Sequence, residues 1–230
     1  MSNEKQVLVN IEDFIRDNYV DYGKQVNFSR SIPKLDGLKP VHRRALMGTR
    51  NVSVGKVTST VNVVGAINVL HPFGTASIEQ VVADLNRQGE LMGEGQFGIK
   101  LLEDIPAAAT RYTKCGLSSI KEDYYFKLEK YAPTHDGEVE IEPEYLITPV
   151  PYALIYGALN WGFGVAGRTP AFTYESLLKA YEKDDPTLLV PNYGYKLNAD
   201  KSDLEGLWRN GVGRLSLSYN LKRIREDEFL

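Results

Sequence analysis

The chain has 230 residues, 43% of them apolar and 25% charged, with a net charge of −3. That length supports a real core in one large or two modest domains, and the balance is that of an ordinary globular protein. Cys115 is the one cysteine, which excludes an intramolecular disulfide and suits a reducing cytoplasm; three scattered histidines offer no zinc set. The start, Met1 to Phe14, lacks a basic region followed by an apolar one, so no secretory leader is expected. No apolar run approaches the roughly 20 residues of a membrane span, and no membrane partner is expected.

The net charge conceals an asymmetry. Between Lys24 and Lys56 lie eight basic residues against Asp36 alone, a net of +7 in a chain of −3, which leaves −10 for the rest. A basic block on an acidic chain predicts a localised polyanion site, with a solvated basic face as the plainer alternative.

In chain order, Ile11, Phe14, Ile15 and Tyr19 follow i, i+3, i+4 spacing and predict a helix to about Gly23. Ser31 to Gly37 reads as a turn, and Pro40 suits the first turn of a helix. That helix holds His42, Arg43 and Arg44 within one turn, fanning outward. Thr58 to Leu70, apolar at Val61, Val64 and Val69, is read as a helix by its length. His71-Pro72-Phe73-Gly74 breaks the chain. Thr75 is a candidate N-cap for a helix with Ile78, Val81, Val82 and Leu85 inward, ending near Gly89. Helix, tight turn, helix beside a basic block is the outline of a helix-turn-helix DNA-binding unit, though many such pairs bind nothing.

Glu94-Gly95-Gln96-Phe97-Gly98 is a glycine-bounded loop. The run Ala107-Ala108-Ala109 then lets the backbone lie close to another surface, and Arg111-Tyr112 follows it. Tyrosine is a poor nucleophile at a free pKa of about 10. Fixed cations that stabilise the phenolate and the attacked phosphate make it a plausible one. The plainer alternative is one ordinary amphipathic tyrosine among fourteen. Ser118 to Lys130 reads as a helix, Tyr131-Ala132-Pro133 as a boundary, and Glu138 to Glu142 as a strand with a solvated acidic face. Glycines between Gly157 and Gly167 leave Trp161 and Phe163 with little local cover. Tyr174 to Lys183 predicts a helix and Leu215 to Tyr219 a strand.

Five of these blocks, in order, resemble the DNA breakage-reunion subunit of type IIA topoisomerases, the group of gyrase A and topoisomerase IV A subunits. They are Arg30-Ser31-Ile32-Pro33 with Asp36 to Arg44, His71 to Gly74, Gly93 to Gly98, Ala107 to Tyr112, and Gly157 to Pro170. The spacing and Tyr131-Ala132-Pro133 look more like the bacteriophage branch. The resemblance implies that Tyr112 attacks a DNA phosphodiester and holds a 5′-phosphotyrosine. It implies that Arg111 stabilises the pentavalent phosphate, with Arg30 and His71 converging on it, and that Lys39, His42, Arg43 and Arg44 grip flanking phosphates. The resemblance puts Trp161 at or beside the wedge position of the family's DNA-bending segment, with Phe163 as the nearby alternative; the plainer reading is a core tryptophan.

Two departures stand out. Phe73 occupies the place of a second family histidine. The chain also stops at Leu230, before the family's coiled coil and exit gate, which suggests a fragment or a split subunit. The expected architecture is α+β: an N-terminal helix within residues 1–23, a winged-helix domain over 24–125, and part of a tower domain over 126–230. No P-loop or Asp-x-Asp run is present, so no metal site is expected on this chain. Mg2+ and ATP would come through an ATPase and metal-binding partner subunit, acting with double-stranded DNA and a second copy of the chain in the cytoplasm. The rival readings are a DNA-binding module without cleavage and a protein that mimics a topoisomerase subunit to engage a host enzyme.

Overall fold

A computed structural model describes residues 10–100, 104–218, 223–225 and 228–229. Helix α1 spans Ile11–Val26, and the Asn10 side chain caps it by accepting the Glu12 N–H. Gly23 stays inside it, and a π-helical turn over Asn27–Ser31 follows. The predicted apolar stripe is present but open: Phe14, Ile15 and Tyr19 are exposed. Among the described residues the helix meets the ring of Phe163, which lies edge-on to Tyr19 at 5.5 Å and to Tyr22 at 5.6 Å.

Helix α2 runs over Pro40–Val52 with proline in its first turn, where a missing N–H costs nothing. Strand β1, Thr58–Ser59, leads directly into α3, Thr60–Leu70. The predicted helix is there, but its inward face is Val63, Val64 and Ile67, while Val61 and Val69 are exposed. Helix α4 spans Thr75–Arg87 and lies at 118° to α3 across the His71–Gly74 break. Gly74 takes the cap position and Thr75 is the first helical residue, so the expected threonine cap is not made. Ile78, Val82 and Leu85 point inward as their spacing predicts.

Strand β2, Met92–Glu94, a hairpin of β3, Ile99–Lys100, with β4, Asp104–Ile105, and strand β5, Lys114–Gly116, follow. β5 lies between β1 and β2, antiparallel to both, with Cys115 opposite Thr58 and Gly93. Helix α5, Ser119–Phe126, is capped by Ser118 and ends four residues short of the expected Lys130; a 3-10 turn over Glu129–Tyr131 completes the segment. The helices α2 to α5 and the sheet enclose the larger core, which also takes in Leu146 and Tyr152 from further along the chain.

The expected strand over Glu138–Glu142 is a hairpin instead. β6, Thr134–Asp136, pairs with β7, Ile141–Pro143, around a turn in which the Gly137 N–H donates to the Glu140 carbonyl at 2.9 Å. Helix α6, Tyr152–Tyr156, leads into the β8–β9 hairpin of Ala158–Gly162 and Val165–Thr169. Helix α7, Tyr174–Lys183, lies where predicted. It organises a second core of Val150, Phe172, Leu177, Ala180 and Leu189. Strand β10, Lys196–Asn198, helix α8, Lys201–Asn210, and strand β11, Ser216–Ser218, close this part, with β10 and β11 antiparallel. A short pair, β12 over Arg223–Arg225 and β13 over Glu228–Phe229, follows. The architecture is α+β, and among the described residues no single helix is long and apolar enough to cross a membrane.

Candidate nucleic-acid interface

The alanine-rich approach to Tyr112 is fixed by backbone. The Ala108 N–H donates to the Gln96 carbonyl at 2.9 Å, which lays the alanine run along the glycine loop. A side chain at Gly95 would stand 3.0 Å from the Tyr112 carbonyl, and its φ of +101° suits glycine alone. Thr110–Tyr112 forms one 3-10 turn. Immediately after it the Thr113 hydroxyl donates to the Thr60 hydroxyl at 2.9 Å and the Thr60 N–H to the Thr113 carbonyl at 3.0 Å. The turn is thus riveted to the start of α3. Tyr112 projects from it 68% exposed, with the Arg111 guanidinium 4.7 Å from its ring centroid.

A second cluster stands at the other end of α3. Arg44 binds Glu142 in a fork, Nη2 to Oε1 at 2.7 Å and Nε to Oε2 at 2.8 Å, while its Nη1 lies 3.0 Å from His71 Nδ1. The His71 ring meets Phe73 edge-on at 4.8 Å, and Phe73 carries the Arg30 guanidinium 4.3 Å from its centroid. Burial first, then Arg44 and Arg30, pull the His71 pKa down to about 4, so the ring is neutral at physiological pH. Phe73 cannot donate a hydrogen bond; it holds Arg30 by its π-face instead. Arg30 and His71 therefore stand together. Tyr112 does not join them within one chain, because the 11 residues of α3 separate the clusters by about 15 Å.

The expectation that Arg43 and Arg44 fan outward to phosphates is corrected. Arg43 is 1% and Arg44 4% exposed. Arg43 Nε and Nη2 donate to the two Asp36 oxygens at 2.8 and 3.0 Å, and the same carboxylate accepts the Leu38 and Leu146 N–H groups at 2.9 Å. This pair ties the 36–38 turn to α2 and to the chain beyond β7. His42 also turns inward, its Nδ1 buried with no hydrogen-bond partner among the described residues and its pKa lowered to about 4, chiefly by burial and then by Lys39. Much of the basic block is likewise matched internally: Lys24 by Asp21, Lys34 by Glu144, and Arg50 by Glu122 and Glu129. Of the block's eight cations, Arg30, Lys39 and Lys56 make no ion pair with a described residue. Lys39 Nζ instead donates to the Leu159 carbonyl of β8 at 3.1 Å.

Trp161 stands 72% exposed on the β8–β9 hairpin, opposite Ala166. It is not a core tryptophan. Phe163, the alternative wedge, is packed on α1, and Asn27 grips its backbone: Nδ2 donates to the Phe163 carbonyl and Oδ1 accepts the Phe163 N–H, both at 2.8 Å. A Cβ at Gly162 would lie 2.1 Å from that Asn27 oxygen, so glycine is required for the clasp.

A buried hub supports the base of the hairpin. Tyr125 and Tyr156 donate their hydroxyls to Glu90 at 2.8 and 2.6 Å, and Lys121 pairs with it at 2.7 Å. Asp36, Glu142, Asn27 and Glu90 are the positioning residues missing from the sequence reading. Glu142, Asn27 and Glu90 meet partners up to 136 residues away, which leaves them no local signature, whereas Asp36 pairs with Arg43 only seven residues on.

Residues 30–191 match the family model for the A subunit of DNA gyrase/topoisomerase IV. The chain is 32% identical over 185 residues to the DNA gyrase A subunit of Campylobacter jejuni subsp. jejuni, an overlap of 74% of this chain and 21% of that protein. Against the DNA gyrase A subunit of Buchnera aphidicola subsp. Acyrthosiphon pisum it is 31% identical over 235 residues, 91% of this chain and 28% of the relative. The DNA gyrase A subunit of Haemophilus influenzae gives 32% identity, covering 74% of this chain and 21% of that one. The chain thus spans between a fifth and just over a quarter of the curated relatives it matches. With the family match covering well over half of its residues, the chain belongs to the family of DNA gyrase and topoisomerase IV A subunits.

Proposed function

We propose that the chain is the DNA-cleaving part of a type IIA topoisomerase, and that Tyr112 is its nucleophile. The observation that carries this reading is the exposed Tyr112 on a rigid 3-10 turn, with Arg111 over its ring, in a chain of the gyrase A family. The phenolic oxygen attacks the phosphorus, a Tyr112–O–P bond forms, and the bond from phosphorus to the 3′-oxygen breaks. The phenol's proton passes to water or a base, and the leaving 3′-oxygen takes up a proton. Arg111 neutralises charge developing on the phosphate, and attack by the 3′-hydroxyl reverses each step.

Arg30 and His71 serve as further donors to a phosphate. Their distance from Tyr112 along α3 favours a dimer, in which a second copy brings them to the scissile phosphate. Helices α3 and α4 with the β1–β5–β2 sheet act as a winged helix on duplex DNA, held by Arg30 and Lys39 at phosphates. Trp161 wedges between base pairs and bends the duplex. The residues beside Tyr112 do not fit a magnesium ion. Glu94 is taken by Lys114 at 3.1 Å, and among the described residues no group of three metal-binding side chains stands together. Mg2+ and ATP are assigned to a partner subunit, and no step here runs through them. Topoisomerase action implies work in the cytoplasm of a bacterium or of a phage-infected host.

The test is covalent trapping on duplex DNA in the presence of the partner subunit. Tyr112→Phe removes one oxygen and should abolish protein-linked breaks while leaving folding and duplex affinity intact. Breaks that persist in this variant overturn the assignment.

A further inference from the structure

Among the described residues Arg44 is the one cation hydrogen-bonded to His71, and it is itself clamped. Its guanidinium is fully committed on the inner side, two N–H groups to the Glu142 carboxylate and a third to His71 Nδ1. Arginine has no acceptor and does not deprotonate in proteins. The 3.0 Å contact therefore requires Nδ1 to be the lone-pair nitrogen. A neutral imidazole with an occupied Nδ1 lone pair carries its proton on Nε2. No described residue bonds to Nε2, which leaves that N–H free for a ligand beside Arg30. Glu142 reaches this place because the β6–β7 hairpin brings it to α2 across 98 residues of sequence.

We propose that Glu142 and Arg44 are positioning residues: the clamped guanidinium holds His71 as the Nε2–H tautomer, so that its free edge always donates to a phosphate oxygen. Arg44 thus acts through His71 and not on DNA directly. This rests on the cleavage reading only for the ligand; the tautomer follows from geometry alone. A similar arrangement in other enzymes fixes imidazole orientation through a hydrogen bond at the second nitrogen. The neighbours are consistent with it. Phe73 neither donates nor accepts, and the Arg30 guanidinium rests on the Phe73 ring. The remaining facing group, His135, approaches Glu142 at 3.4 Å and not the His71 ring.

The experiment has two arms. In the first, long-range proton–nitrogen NMR of the histidine-labelled wild-type chain reads the tautomer near neutral pH, with His71 assigned by its loss in His71→Gln. A single Nε2–H pattern is expected. An Nδ1–H pattern, or a mixture, overturns the proposal whatever the variants do. The second arm is Glu142→Gln, which keeps the shape but weakens the clamp. It should mix the His71 tautomers and lower covalent-complex formation roughly tenfold to hundredfold, at unchanged affinity for the duplex. Cleavage unaltered, or lost while the tautomer stays pure, overturns the proposal. If this variant does not fold, the wild-type spectrum still decides. If wild-type protein forms no covalent complex even with the partner subunit present, the cleavage reading fails and the spectrum decides the tautomer independently.

Discussion

The first turns of α2 and the turn at Tyr112 use the same residue type to opposite ends. Arg43 and Arg44 are buried and each is forked onto a carboxylate. Arg111 and Arg30 are exposed and rest on aromatic faces, without a carboxylate partner among the described residues. A buried guanidinium with its donors occupied is scaffold. An exposed one on an aromatic face is preoriented, keeps its donors for a ligand, and loses little hydration. The difference teaches that a basic run in a sequence is not a basic surface. It is the carboxylates folded against the cations, Asp36 nearby in sequence and Glu142 far from it, that decide which cations remain for a ligand.

The largest effect that would break this comparison is on stability. Arg43→Ala leaves the Asp36 carboxylate buried without its partner and is expected to cost about 3–5 kcal/mol, read as a lowered urea midpoint. Arg30→Ala should cost no more than about 1 kcal/mol, the scale of an exposed cation–π contact, yet weaken duplex binding. Equal loss of stability in the two variants would remove the distinction between scaffold and ligand arginines.

The two inward histidines sharpen the same contrast through pH. His42 and His71 have folded pKa values of about 4 against an ordinary 6.5. Burial is the main cause at each; Lys39 and Arg43 add to it at His42, opposed by Asp84 and Asp36, and Arg44 and Arg30 add to it at His71, opposed by Glu142. Depressed values mean that the unfolded chain binds the proton more tightly. Stability is therefore full above about pH 6.5 and falls as pH drops toward 4, by up to about 3 kcal/mol for each group. Urea midpoints that stay flat from neutral pH to about pH 4.5 would show that these rings are not held neutral by burial.

Much of the fold was legible because periodicity is local. The stripe of Ile78, Val82 and Leu85 named the inner face of α4, and Pro40 named the start of α2. Valine was less informative in α3, where Val63 and Val64 face inward while Val61 and Val69 do not; valines stand on opposite sides of that helix, so they do not fix its phase. The acidic run at Glu138–Glu142 read as a solvated strand, but the fold turns it into a hairpin and buries Glu142 for Arg44. Sequence alone could not pair residues 98 positions apart. The candidate site was proposed from chemistry, a tyrosine after an arginine beside small residues. Its division between the two ends of α3 required coordinates.

The smallest expected change in stability belongs to Trp161, and its neighbour supplies the contrast. Two aromatic residues stand near the tip of one hairpin: Trp161 is 72% exposed, whereas Phe163 lies against Tyr19 and Tyr22 with its backbone clasped by Asn27. Phe163→Ala removes two edge-on contacts and should lower stability by about 1 kcal/mol or more, because it loosens the hairpin from α1. Trp161→Ala removes a side chain already in water, so its melting temperature should stay close to wild type, within about 0.5 kcal/mol of stability. Its effect is expected on DNA. A wedge unstacks a base step at a cost of a few kcal/mol, recovered through wider contact with the bent duplex. Energy transfer between labelled duplex ends should therefore report lost bending in Trp161→Ala at near-normal stability. A Trp161→Ala protein that bends the duplex as wild type does would leave the exposed indole without a part in DNA bending and return the wedge to another residue of the hairpin.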